Sequence, residues 1–197
     1  MKKFTLALTV FATIVATALP LAAQKARVNS TGGKSPHETT RAPIDGNRVT
    51  ITYGRPYTAD PSTGEMRVIW GNPKLIPWGK AYRLGADEAT LLITQKAIQI
   101  GDTTIPAGAY TLYMIPEETG TSKLAFSKSL GKWGVPVDEK NDFARVDLTK
   151  ETLSKPVNQL TISVNPVLNA EGKPAGGGFI KIEWENTGYT VAFALAK

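Results

Sequence analysis

The sequence predicts a mostly β fold, an antiparallel β-sandwich or flattened barrel of about ten short strands with one or two short helices. Three observations carry that expectation. Four segments alternate apolar and polar residues with a period of two, and clusters of Gly, Pro, Asn and Asp bound them at short intervals. Several prolines (Pro43, Pro56, Pro106, Pro116) stand at the ends of such segments, where a missing N–H costs least.

From the N-terminus, Lys2 and Lys3 precede an uncharged apolar stretch, Phe4 to Leu19, and then Pro20-Leu21-Ala22-Ala23. Basic, apolar and small residues in that order predict a secretory signal peptide over residues 1–23, cleaved after Ala23. The stretch is shorter than the roughly 20 residues a membrane-spanning helix needs. The chain has no cysteine, which closes the acyl-anchored route and excludes disulfides, thiol nucleophiles and cysteine-ligated zinc. The expected product is exported and soluble, periplasmic or extracellular, with a flexible leader over 24–34 and one domain over 35–197.

Within that domain Val49, Ile51 and Tyr53 alternate with Arg48, Thr50 and Thr52; Tyr110, Leu112 and Met114 alternate with Thr111 and Tyr113. Leu160, Ile162 and Val164 do the same with Thr161 and Ser163, as do Ile180, Ile182 and Trp184 with Lys181, Glu183 and Glu185. Each is the pattern of a strand with one buried face. Shorter candidates are Met66–Trp70, Ala89–Thr94, Ala97–Ile100, Lys123–Ser127, Arg145–Leu148 and Thr190–Leu195. Asn186-Thr187-Gly188 reads as the turn of a closing hairpin. Gly79–Glu88 and Lys140–Ala144 are the only helical candidates; Ala59–Glu65 and Pro166–Gly178 read as exposed loops.

Hydrophobic residues at 42% and charged residues at 20% are the balance of a globular domain. Without Lys2 and Lys3 the net charge of +6 becomes +4, and no run of like charge predicts a nucleic-acid partner. The charge is nonetheless uneven. Six of the seven arginines precede residue 84, which makes residues 24–100 basic and the remainder almost neutral.

Arg55 and Arg83 stand at element boundaries, where a guanidinium fork can reach a carboxylate, a phosphate or a sugar. The alternative is that they pair internally with Asp87 or Glu88 and clamp loops together. Three of the four tryptophans, Trp70, Trp78 and Trp133, directly precede glycine in loops, where they either cap the core or offer an indole to a ligand. The single histidine, His37, lies beside Ser35-Pro36 and Glu38 without forming a hydrolytic motif. No phosphate-binding loop or nucleophile elbow is present, and the acidic loops around Asp60–Glu65 and Asp138–Asp142 lack calcium-motif spacing.

Five strings occur in order: Ser35-Pro36-His37-Glu38-Thr39, Ile51-Thr52-Tyr53-Gly54-Arg55-Pro56, Ile76-Pro77-Trp78-Gly79-Lys80, Arg83-Leu84-Gly85-Ala86-Asp87-Glu88-Ala89-Thr90, and Ile105-Pro106-Ala107-Gly108-Ala109-Tyr110-Thr111-Leu112. Together with Lys132-Trp133-Gly134 and Ile182-Glu183-Trp184-Glu185-Asn186 they resemble the bacterial family known as domain of unknown function 2911. The resemblance implies export and no agreed activity, substrate or cofactor. The chain departs from the family pattern in a longer Thr58–Arg67 connection, in the lack of a tryptophan near Ser122-Lys123-Leu124, and in Asp87, where the family often has Asn.

These readings predict a non-catalytic binding module without a cofactor. Tyr53, Arg55, Arg83, Asp87 and Glu88 are its expected ligand-binding residues, and its partner is a small anionic or carbohydrate-like ligand or an envelope protein. The alternative is a cell-envelope hydrolase that uses Glu88 or Asp87 as general base with His37 as partner, which requires His37 to lie near Glu88 in space.

Overall fold

The computed structural model describes residues 26–28 and 35–196. The signal peptide expected over residues 1–23 lies outside the described residues. Part of the expected leader is a strand, β1 (Ala26–Val28), which pairs antiparallel with β2 (His37–Ile44).

Nine further strands follow: β3 (Asn47–Gly54), β4 (Thr90–Thr94), β5 (Ile98–Ile100), β6 (Thr103–Ile105), β7 (Gly108–Ile115), β8 (Lys123–Ser127), β9 (Asp142–Asp147), β10 (Thr149–Leu168) and β11 (Pro174–Leu195). They form two antiparallel sheets, β1-β2-β3-β4-β7-β8-β9 and β10-β11-β5-β6. The fold is mostly β, with a sandwich-like arrangement of the two sheets. The only helical turn among the described residues is 3-10, Glu139–Asn141.

The four alternating segments are strands, and their apolar rows build the core. Ile51 and Tyr53, Leu112 and Met114, Ile162 and Val164, Ile180 and Ile182 are all buried and belong to one cluster. Burying such side chains stabilises by about 1.5–3 kcal/mol each, which is how a domain without disulfides holds together. At one end of this core Trp70 stacks on Trp78 at 6.4 Å and meets Trp184 edge-on at the same distance. Its indole N–H donates to the Trp184 carbonyl.

Three local expectations change. Asn186-Thr187-Gly188 is not a turn. β11 runs straight through it, because Thr187 and Gly188 pair with Thr152 and Glu151 of β10, and the irregularity falls instead on Glu185, whose φ is 52°. Gly188 sits close under the neighbouring strand, where a Cβ would lie 2.9 Å from the Glu151 and Leu153 side chains. The hairpin turn sits earlier, between Leu168 and Pro174, inside the segment expected to be a loop. Gly79–Glu88 forms no helix, and Met66–Trp70 contributes only isolated bridges.

Tyr53 links the two sheets. Its hydroxyl accepts from the Ile162 N–H at 2.7 Å and donates to the Ile162 carbonyl at 3.2 Å, and burial pushes its pKa up to about 12. Tyr53→Phe leaves both backbone groups of a buried strand without that partner and is expected to cost about 1–3 kcal/mol in chemical denaturation. An unchanged unfolding free energy would show that the two sheets do not need this link.

Candidate functional site

Alternation along β2 and β3 sends neighbouring residues to opposite faces of the larger sheet. Glu38 and Tyr53 point inward with the core. His37, Thr39 and Thr52 point outward, and the register continues their row across the sheet, since Thr39 pairs with Thr52, Thr52 with Leu91 and Leu91 with Thr111. The Thr39 and Thr52 hydroxyls are 2.9 Å apart.

Two loops stand over this outer row, residues 82–89 and 131–137. The first can approach only because Gly54 lacks a side chain: a Cβ there would lie 2.1 Å from the Ala86 carbonyl oxygen. Leu84 and Asp87 adopt left-handed φ of 58° and 62°, which costs of order 1–3 kcal/mol each and needs anchoring. Arg83 supplies anchors, donating to the carbonyls of Gly85 at 3.2 Å, Asp87 at 2.8 Å and Trp133 at 3.3 Å. Thr90 adds a bond to the Leu84 carbonyl at 2.7 Å, and Ala89 N–H donates to Lys132 across the two loops.

Between the loops and the sheet lies a cleft of about 450 Å³, lined among others by His37, Thr52, Glu88, Thr111, Lys132 and Trp133. His37 Nε2 is 2.7 Å from Glu88 Oε2 and 4.0 Å from Asp87 Oδ2. The Glu88 side chain is 59% exposed, so its carboxylate faces solvent while held by the imidazole. A bond from its own backbone N–H, and then the one to His37, hold its pKa below the usual carboxylate range. His37 Nδ1 and Asp87 Oδ2 are buried without hydrogen-bond partners. Trp133 is 54% exposed, whereas Trp70 and Trp184 are buried in the core.

The residues expected to meet in one patch are therefore divided by the sheet. The Tyr53 side chain belongs to the inner face, although residue 53 also borders the cleft. Arg55 also turns inward, where Nη1 bonds Glu38 Oε2 at 2.6 Å, Nε bonds the Leu160 carbonyl at 3.0 Å and Nη2 bonds Thr161 Oγ1 at 2.8 Å. Both arginines are clamps, but their partners are Glu38 and backbone carbonyls rather than the carboxylates of Asp87 or Glu88. On the outer face Glu88, Asp87 and His37 come together, with Arg83 holding the loop that carries both carboxylates. Glu38 lies outside the residues expected from the sequence, and the signal for it is local: Glu38, Thr40, Ala42 and Ile44 form a period-two row that ends in apolar residues, and all four are buried. Among the described residues no group of three or more His, Asp or Glu could hold a metal ion, and no helix is long and apolar enough to cross a membrane.

A family model described as Protein of unknown function (DUF2911) matches residues 35–193, and the chain belongs to that family. No curated protein and no solved structure matches the chain.

The lowered pKa of Glu88 fixes a sign. A carboxyl group depressed in the folded state contributes stability above its unfolded pKa, and that contribution is lost as the pH falls through the folded value. The carboxyl ¹³C shift of Glu88 is expected to titrate below 4.5, its ordinary value, and to move up toward it in His37→Ala. A midpoint that does not change in His37→Ala would contradict the His37–Glu88 bond.

Proposed function

We propose that this chain is an exported, non-catalytic binding module whose outer-face cleft takes a neutral, hydroxyl-rich ligand of the carbohydrate type. The observation that carries the reading is the half-exposed Trp133 indole beside the His37–Glu88 pair in one cleft. An indole offers an apolar face to a sugar ring, while the Glu88 carboxylate and the hydroxyl oxygens of Thr52 and Thr111 supply acceptors at its edges. A volume of about 450 Å³ is that of a small-ligand site. The anionic ligand loses its support here, because Arg55 and Arg83 are both occupied within the fold. Lys132, at the cleft rim, is paired with Asp138 at 3.3 Å. Export rests on the basic, apolar and small-residue order of residues 1–23.

One observation favours the hydrolytic reading, the 2.7 Å contact between His37 and Glu88. Two others weigh against it. A glutamate held below its usual range is a poor general acid and a weak base near neutral pH. The second imidazole nitrogen is buried and does not reach the cleft.

The test is titration with cellotetraose, chitotetraose and maltotetraose, followed through the Trp133 indole N–H resonance. At least one sugar is expected to shift that resonance, and Trp133→Ala to weaken binding by about tenfold or more. No shift with any of the three would overturn the proposal. Release of shorter sugars by the wild type, stopped by Glu88→Gln, would establish the hydrolase instead.

A further inference from the structure

The basic character of residues 24–100 is not used by the cleft at His37, and the structure gathers part of it elsewhere. On the far side of the 82–89 loop lies a second groove of about 640 Å³. Three cationic side chains from one stretch of chain, Arg67, Lys74 and Lys80, line it together with Arg83. Arg67 is shared with Asp60 at 3.7 Å, and Arg83 is committed to backbone carbonyls. Lys74 and Lys80 have no carboxylate within ion-pair distance among the described residues. The groove's one acidic lining residue, Glu139, is already held by Arg145 at 2.7 Å.

The walls are apolar where they are not basic. Leu75 is 36% exposed and Val135 62% exposed, and Tyr82 and Trp184 stand behind them. Two unpaired cations beside exposed apolar surface, in a volume within the small-molecule range, define the complement of one kind of ligand. We infer that this groove binds a small amphiphilic anion, a carboxylate or phosphate ester on an apolar body, with Lys74 and Lys80 at the head group and Leu75 and Val135 against the body. This site is independent of the sugar-type cleft, from which the wall formed by residues 82–89 and 131–137 separates it.

The experiment is calorimetric titration of the full chain with octanoate and octyl phosphate below their micellar concentrations, with octylammonium and inorganic phosphate as comparisons. Both amphiphilic anions are expected to bind, octylammonium not at all, and inorganic phosphate at least about tenfold more weakly than octyl phosphate. Lys74→Glu with Lys80→Glu, both in exposed loop positions, is expected to reduce octanoate binding about tenfold or more without altering the circular dichroism spectrum. Octylammonium binding as well as octanoate, undiminished octanoate binding by the doubly reversed variant, or no binding of either anion to the wild type would each overturn the inference. Inorganic phosphate binding as tightly as octyl phosphate would do so too, by removing the role of the apolar wall.

Discussion

The Arg55 guanidinium, closed on Glu38, the Leu160 carbonyl and the Thr161 hydroxyl, is the tie on which the rest of this end of the molecule depends. Glu38 belongs to the larger sheet and residues 160–161 to the smaller one, so one planar group spans the gap between them. A guanidinium suits the task because its donors diverge in a fixed plane and its charge is weakly hydrated. The arrangement also decides what the outer face can offer. With Arg55 turned inward, Arg83 consumed by loop carbonyls and Lys132 paired with Asp138, the cleft above His37 is left with a carboxylate, an imidazole, hydroxyls and an indole.

Much of the sandwich was legible because one physical rule governs its strands. Where one face is buried, apolar residues recur every second position, and the rows at Val49–Tyr53, Tyr110–Met114, Leu160–Val164 and Ile180–Trp184 obey it. β2 escaped notice because its inward row begins with a charged residue, Glu38, whose burial is intelligible only once Arg55 is known to face it across the end of β3. The Asn186-Thr187-Gly188 segment misled for a related reason. Glycine there packs against the Glu151 and Leu153 side chains of the neighbouring strand, a proximity that does not exist in one dimension.

The candidate site was legible in its parts and not in its grouping. The sequence singles out His37, Asp87 and Glu88, yet their meeting requires Gly54 to admit the 82–89 loop and Arg83 to hold its left-handed residues in place. Tyr53 and Arg55 lie one and three positions along the chain from Thr52, but the pleat sends them to the opposite side. Of the three Trp-Gly pairs, two cap the core and one faces solvent. The choice is made by tertiary packing, since Trp70 and Trp78 find each other and Trp184 while Trp133 rides on a loop anchored to Arg83.

A double-mutant cycle in chemical denaturation with Arg55→Ala, Glu38→Ala and the pair shows whether Arg55 ties the sheets together. Both side chains are largely buried, at 12% and 1% exposure, so each single substitution is expected to cost about 3–5 kcal/mol by stranding its partner. The double variant is expected to cost well under the sum of the two. Additive, small losses in unfolding free energy would show that Arg55 and Glu38 do not hold the sheets together, and would return Arg55 to the candidates for ligand binding.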